Sequence, residues 1–173
     1  MAHAICSTMS AACWNIDAQK ICGIAETDLD NGTFVVLGDM ALNDDVPGGF
    51  EYHVEVASDA DSAVWVIRTP EVGDTIEMQM SNDPRNFYNK AGKGLSLCYM
   101  NPNYDHIEVD ALAFAAKALP AVDAYCGIDD GKLVVLDSGD EATASVVFKV
   151  VAKHQISVGA ESVPTAILRC EKN

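Results

Sequence analysis

Histidine and serine are the first residues to consider for catalysis, because nucleophilic enzymes hold them in close constellations. The four histidines, His3, His53, His106 and His154, are far apart, and none has a neighbouring signature for a nucleophile or a zinc site. No serine lies in a Gly-x-Ser-x-Gly turn, and the chain has no glycine-rich phosphate loop. The sequence therefore predicts neither an enzyme nor a bound cofactor. A hydrolase whose histidine and carboxylate meet only in the folded chain is an open alternative.

Residues 28–32, Asp-Leu-Asp-Asn-Gly, have the spacing that opens an EF-hand calcium loop. The twelfth position of such a loop should be a glutamate between two helices, but it is Asp39 and follows a β-branched run. A hairpin turn explains these residues better, so we expect no metal site.

The chain has six cysteines, and none of them forms a Cys-x-x-Cys pair or a zinc-finger spacing. The first residues lack the basic region and the apolar run of a signal peptide. We therefore expect synthesis in a reducing cytosol, with the cysteines as buried thiols. They are Cys6, Cys13, Cys22, Cys98, Cys126 and Cys170.

The segment 81–94 is the most unusual in composition, because it holds three of only eleven basic residues beside two aromatic residues. Basic and aromatic side chains on one loop are typical of protein interfaces. A solvated loop whose aromatic rings fold back into the core is the open alternative. The residues concerned are Arg85, Phe87, Tyr88, Lys90 and Lys93.

Residues 1–20 are small and weakly patterned, and Trp14 is their only large anchor. This composition indicates an arm that packs on its own domain or on a neighbouring subunit. We expect Cys6 and Trp14 of this arm, together with the segment 81–94, to contact a partner.

One short stretch occurs twice, at residues 29–37 and 128–136, with five of nine positions identical. Each copy joins Asn-Gly or Asp-Gly to a Val-Val-Leu run, which is a strong hairpin signal. Alternation over Phe50–Ala57 and a second strand over Ala142–Ala152 extend the parallel between the two halves. The segment Ala111–Leu119 fits either a strand end or a short helix.

These patterns predict a mainly β protein, a barrel or sandwich built from two related β units. We divide the chain into an N-terminal arm (1–20), a first β unit (21–80), a long connecting insert (81–123) and a second β unit (124–173). A chain of 173 residues is long enough for one compact domain of this kind.

The net charge of −15 disfavours nucleic acid and anionic membrane surfaces as partners, because like charges repel. No apolar run approaches the length of a transmembrane helix. We therefore expect no nucleic acid and no membrane among the partners of this chain.

The string Asp83–Lys93, followed by a strand, resembles a segment of small structural proteins encoded near the capsid gene of tailed bacteriophages. The stretch 28–38 and the unit 131–135 with its later strands also resemble theirs. The similarity extends from about Ile21 to Cys170.

This resemblance implies a capsid decoration or head-stabilising protein that is made in the host cytoplasm and binds the outer surface of the virion. Its partner would be the major capsid protein, and it would form a homo-oligomer, plausibly a trimer at three-fold sites. A carbohydrate-binding or small-ligand β module, of the fibre or adhesin kind, is the alternative function. A groove lined by Trp14, Trp65, Tyr99 and Tyr104 would favour that alternative.

Overall fold

The computed structural model of the chain describes residues 2–9, 11, 20–43, 49–72, 76, 80 and 83–173, and their strands form two sheets. Five strands close into a barrel, and six form a second sheet. The predicted mainly β class is therefore confirmed. In chain order the strands are β1 (Cys6–Ser7), β2 (Lys20–Ile24), β3 (Phe34–Asn43), β4 (Gly49–Val56), β5 (Trp65–Ile67), β6 (Gly94–Tyr99), β7 (His106–Asp110), β8 (Tyr125–Asp129), β9 (Lys132–Val135), β10 (Val147–Val158) and β11 (Glu161–Lys172).

The barrel has the strand order β2-β4-β3-β5-β6. It closes at β2, which pairs antiparallel with β6 and parallel with β4. The alternation along β4 turns Val54 inward, whereas His53 and Glu55 on the opposite face are exposed. Val54 packs with Val35 and Leu97 in a small core inside the barrel.

The second sheet has the order β1-β7-β11-β10-β8-β9. Its two longest strands, β10 and β11, form a hairpin of 12 residues on each side. One face of this sheet carries Phe148, Val150 and Leu168, which have no exposed surface. That face must therefore be covered by another layer.

The outer wall of the barrel provides that layer. Phe34 of β3 and Phe148 of β10 contact each other, with ring centroids 5.3 Å apart and planes tilted by 53°. Val66 and Met100 from the barrel side join the same buried cluster as Leu168. Full burial of each such side chain stabilises the fold by about 1.5–3 kcal/mol. The main core thus lies between barrel and sheet.

The second copy of the repeated stretch forms the predicted hairpin, with β8 and β9 joined at Asp130-Gly131. Both turn residues have positive φ, 47° at Asp130 and 68° at Gly131. Positive φ at both central residues is the signature of a type I′ turn, whose twist matches paired strands. The hairpin prediction is confirmed for this copy.

The hairpin prediction for the first copy is wrong, because β3 pairs with β4 and β5 and not with the residues before the turn. The chain does reverse there, and the Thr33 amide donates to the Asp30 carbonyl at 3.3 Å. Of Asn31 and Gly32, only Gly32 has a positive φ, 85°. Asn31 is instead buried and bonded to Thr69, so this turn is anchored by tertiary contacts.

The two turns meet in the folded chain. The Phe34 amide, just after the first turn, donates to the Gly131 carbonyl at 2.9 Å. The Gly131 amide donates in turn to the Ala57 carbonyl at 2.8 Å. The tip of the second turn is thereby bonded to the end of the barrel.

The segment 81–123 contributes a strand to each sheet, β6 to the barrel and β7 to the second sheet. The helix considered over Ala111–Leu119 is limited to one 3₁₀ turn, Ala111–Ala113, whose first N–H groups are capped by the Asp110 side chain. The chain becomes extended at Phe114, whose ring is buried in the main core. Burial of this ring explains why the alanine-rich segment does not continue as a helix.

Four of the cysteines, Cys6, Cys98, Cys126 and Cys170, are buried thiols outside any disulfide, and Cys22 is an exposed one. Burial raises the pKa of the Cys6, Cys126 and Cys170 thiols to about 12. Cys13 lies outside the described residues. The predicted role as small buried apolar residues is confirmed for the four buried thiols.

Alkylation by iodoacetamide at about pH 8 should modify Cys22 at least about a hundredfold faster than Cys6, Cys126 or Cys170. The reason is that the thiolate is the nucleophile, and burial suppresses both its formation and its access to reagent. Site-resolved mass spectrometry measures the rates, with the protein in urea as the control in which all thiols react alike. Native labelling of Cys6 at the rate of Cys22 would contradict the buried position of the arm.

Candidate partner-binding surface

The described part of the N-terminal arm lies along the edge of the second sheet. Its strand β1 pairs antiparallel with β7, with Cys6 opposite Val109 and Ser7 opposite Glu108. Ala4, Ile5 and Cys6 are at most 5% exposed. The arm therefore packs on its own domain, which is one of the two placements that the sequence allowed. Trp14, the other expected contact residue of the arm, lies outside the described residues.

Two aspartates hold the arm in place, Asp30 through its side chain and Asp110 through its backbone. Nδ1 of His3 lies 2.6 Å from Oδ1 of Asp30, and the Ala4 amide donates to the other oxygen of Asp30 at 3.4 Å. The Asp110 amide donates to the Ile5 carbonyl at 3.1 Å, and Asp110 is almost fully buried. Burial raises the pKa of Asp110, and the nearby Asp30 charge adds to this effect. Three consecutive arm residues are thus fixed by hydrogen bonds.

The segment that follows residue 82 begins with a 3₁₀ turn, Pro84–Asn86. The Asp83 side chain caps the start of this turn. The Arg85 guanidinium pairs with Asp83 at 2.7 Å and with Glu161 at 2.5 Å. These hydrogen bonds lower the pKa of Asp83 and raise the pKa of Arg85 further above its ordinary value. Because Glu161 lies at the tip of the β10–β11 hairpin, Arg85 joins that tip to the loop.

The two aromatic residues of the loop have different environments. Phe87 is 8% exposed and faces the interior, as in the alternative in which this ring folds back. Tyr88 is half-buried and stacks on the His3 ring, with centroids 5.0 Å apart. The His3 amide also donates to the Arg85 carbonyl at 2.8 Å. The arm and the loop, which the sequence singled out separately, are therefore neighbours.

Lys90 and Lys93 lie at the far end of the loop, where the Lys93 amide donates to the Lys90 carbonyl at 3.2 Å. Lys93 is exposed and Lys90 is half-buried. Of the seven residues expected to contact a partner, Arg85, Tyr88, Lys90 and Lys93 present surface, whereas Cys6 and Phe87 are buried. A contact between any of them and a partner stays a prediction.

The tip of the β10–β11 hairpin is a part of this surface that the sequence did not reveal. Of β10, Phe148 and Lys149 alone pair with β8, and of β11, residues 165–169 alone pair with β7, so the outer half of the hairpin extends past its neighbours. Residues 153–155 and 159–162 are exposed. The sequence indicated two shorter strands here, and no local signal marks the hairpin as one continuous projection. We call the arm residues 2–9, the loop 83–93 and the tip 158–161 the junction surface.

The junction surface is held together by charge and stacking. The pairs His3–Asp30 and Arg85–Glu161, together with the Tyr88–His3 stack, fix three segments that are distant in sequence. Preorganised side chains lose less conformational entropy on binding than mobile ones. The arrangement is therefore suited to contact with another surface.

A second histidine–carboxylate pair, His154 and Glu108, is relevant to the alternative that the chain is a hydrolase. Nδ1 of His154 lies 2.7 Å from Oε1 of Glu108. The buried Thr165 hydroxyl donates to the same oxygen at 2.6 Å, so its proton points at the carboxylate and not at the imidazole. A general base must accept the proton of the nucleophile, and this geometry does not provide that step.

Within the ranges described, no group of three or more histidine, cysteine or acidic side chains is placed to hold a metal ion. No helix in the described part of the chain is long and apolar enough to cross a membrane.

Three of the four aromatic rings expected to line a carbohydrate site belong to the described part of the chain, and Trp14 lies outside it. The Trp65 and Tyr99 rings contact edge to face, with centroids 5.3 Å apart. Trp65 also packs on the core inside the barrel. Tyr104 is 69% exposed. Two of these three described rings, Trp65 and Tyr99, therefore lie together.

Comparisons with protein-family models, with curated proteins and with solved structures find no match to this chain.

Proposed function

We propose that this chain is a structural protein that binds the outer surface of a tailed-phage capsid and stabilises or decorates it. The observation that carries the proposal is the junction surface, in which the arm and the basic-aromatic loop lie side by side and are tied to a projecting hairpin. Both segments were singled out from the sequence as contact regions. A rigid surface assembled from three segments serves docking better than catalysis.

The partner in this proposal is the major capsid protein, and the site of action is the virion surface after synthesis in the host cytoplasm. Homo-oligomerisation follows if the protein occupies three-fold positions of a shell, and a trimer would match that symmetry. The strongly acidic composition supports the proposal, because it keeps copies apart in solution and discourages binding to packaged nucleic acid.

Removal of residues 1–20 should abolish shell binding while the barrel and the second sheet still fold. The truncation removes β1 and the His3 ring that supports Tyr88, but every barrel strand other than the first residue of β2 remains. Co-sedimentation with shells assembled from the major capsid protein of the same genome measures binding, and circular dichroism measures folding. A truncated protein that binds shells normally would contradict the role of the arm.

A charge reversal tests the same surface without truncation. Lys93→Glu lies at the exposed end of the loop, and Lys117→Glu is the matched change on another exposed turn. Because reversal of an interface charge acts mainly on association, we expect Lys93→Glu to weaken shell binding by about tenfold and Lys117→Glu to leave it unchanged. Equal behaviour of the two variants would remove the loop from the interface.

Carbohydrate or small-ligand binding is the second candidate function, and the Trp65–Tyr99 pair is the observation that favours it. Aromatic rings of this kind stack on the apolar faces of sugars. Saturable quenching of Trp65 fluorescence by a soluble oligosaccharide, in a Trp14→Phe background, would support this function over shell binding.

A further inference from the structure

A cleft of about 460 Å³ lies where the barrel meets the second sheet, away from the junction surface. One wall is the connection after β4, at Ser58 and Asp59. The opposite wall consists of β8, β9 and the segment 140–146. Its volume is in the range of sites that take a side chain or a small ligand.

The floor of the cleft is apolar. Ile128 and Val146 are buried, and Val134 and Leu136 are half-buried beside them. Gly127 keeps the floor open, because a Cβ there would lie 3.0 Å from Cδ2 of Leu136. The cleft can therefore cover a hydrocarbon chain.

The rim of the cleft is acidic. Asp59, Asp129 and Asp140 are exposed at its edge, and none of the described residues that line it is basic or aromatic. The missing aromatic rings argue against a sugar. The concentration of negative charge argues against an anionic lipid surface or a nucleic acid, because both would be repelled.

The two walls are tied together across the cleft. The Ser145 hydroxyl donates to the Ala60 carbonyl at 3.3 Å, which joins the 140–146 segment to the connection after β4. On the barrel side, the amide and hydroxyl of Ser58 both donate to Asp61, at 2.7 and 2.8 Å. The cleft is thus shaped before any partner arrives.

We propose that this cleft docks a lysine or arginine side chain presented by an extended segment of a partner protein. The aliphatic stem of such a side chain lies along an apolar surface while its charged head stays near water and carboxylates. The floor at Ile128 and Val134 matches the stem, and the carboxylates of Asp59, Asp129 and Asp140 match the head. This site is separate from the junction surface and does not depend on the function proposed for it.

The probe for the test is the peptide acetyl-Ala-Leu-Arg-Leu-Lys-Ala-amide, added to the full-length protein labelled with ¹⁵N. We expect saturable shifts confined to amides of the cleft, such as those of Gly127, Asp129 and Thr143, with a Kd of about 1 mM or below. A peptide with glutamine and norleucine in place of arginine and lysine should bind at least about tenfold more weakly. Raising the salt from about 50 mM to about 500 mM should also weaken binding, since the rim charges are exposed.

Matched charge variants distinguish binding of the peptide in this cleft from a general attraction between a basic peptide and an acidic protein. The triple variant Asp59→Asn, Asp129→Asn, Asp140→Asn should lose at least about tenfold in affinity. The control removes three exposed carboxylates from the barrel instead, and it should bind the peptide as the parent protein does. The control changes are Glu26→Gln, Asp39→Asn and Glu55→Gln.

Three outcomes would overturn the proposal: equal binding of the neutral peptide, equal losses in the two triple variants, or unsaturable shifts spread over the whole surface. Thermal unfolding of both variants checks that the fold is intact. If the cleft variant does not fold, the comparison of the two peptides on the parent protein still decides the result.

Discussion

A Gly131→Ala protein is expected to lose about 4 kcal/mol of unfolding free energy, which is a large part of the stability of a domain of this size. A left-handed conformation costs a non-glycine residue about 1–2 kcal/mol, and φ here is 68°. The added Cβ would lie 2.6 Å from Cγ1 of Val56, 2.9 Å from Cγ2 of Thr33 and 3.1 Å from the carbonyl oxygen of Phe34. Forced overpacking of this kind costs about 1–3 kcal/mol more.

The position cannot relax easily, because Gly131 is bonded on both sides. Its carbonyl accepts from Phe34, and its amide donates to Ala57, so a backbone shift would break the bonds that join the two sheets. Denaturant unfolding followed by circular dichroism measures the loss.

Gly159→Ala is the matched control, because Gly159 has a similar φ of 60° and the described residues place no neighbouring atom within 4 Å of the position of a Cβ. The control should lose only the unfolding free energy that a left-handed backbone conformation costs an alanine, about 1–2 kcal/mol. The difference between the two variants then reports the packing of the second turn against the barrel. Equal losses would show that this packing does not stabilise the fold.

The parts of the fold that the sequence predicted are those that depend on neighbours in the chain. Alternation of apolar and charged residues located β4, and Asp130-Gly131 located the hairpin of β8 and β9. Both signals are local, since side-chain alternation and positive φ are properties of a few consecutive residues.

Strand partners were not predictable in the same way. β2 pairs with β6, which follows it by about seventy residues, and with β4 in parallel. These pairings depend on which apolar faces find each other in the compact chain, and no spacing within either strand specifies its partner. The first Asn-Gly turn is an example. Its residues predict that the chain reverses there, but they do not predict which strands pair with β3.

Composition drew attention to two segments of the junction surface, the arm and the loop, but it did not predict which of their side chains are exposed. The basic and aromatic residues drew attention to the loop, yet the same residue types include the buried Phe87 and the exposed Lys93. Glu161 carries no sequence signal, because its importance comes from its distance to Arg85 in the folded chain. The acidic cleft has the same origin, since its three aspartates come from the connection after β4, the end of β8 and the segment 140–146.

An Asn31→Leu protein is expected to lose about 3 kcal/mol, because a nearly isosteric apolar residue would replace a buried amide that makes several hydrogen bonds. Asn31 is 2% exposed. Its amide group donates to the Thr69 carbonyl at 2.9 Å, and its oxygen accepts from the Thr69 amide at 3.0 Å. The side chain of Asn89 donates to the same oxygen at 3.2 Å.

The destabilisation should be greatest around Thr69, because its amide would lose its hydrogen bond to residue 31. The Thr69 carbonyl would still accept from Arg68, and Asn89 would still donate to the Leu29 carbonyl. Hydrogen exchange at the Thr69 amide should therefore quicken more than exchange in the β10–β11 hairpin. Asp30 is the residue before Asn31 and holds His3, so protection of the arm amides should fall as well.

Two further variants test whether the loss of stability comes from the buried hydrogen bonds of Asn31. Asn31→Asp keeps the acceptor oxygen for Thr69 and Asn89 but loses the donor, so its stability should lie between those of the parent and the leucine variant. Asn86→Leu makes the same change at an exposed position and should alter stability by less than about 0.5 kcal/mol. If Asn31→Leu is as stable as Asn86→Leu, the first repeated turn is an ordinary surface turn and does not anchor the barrel to the arm.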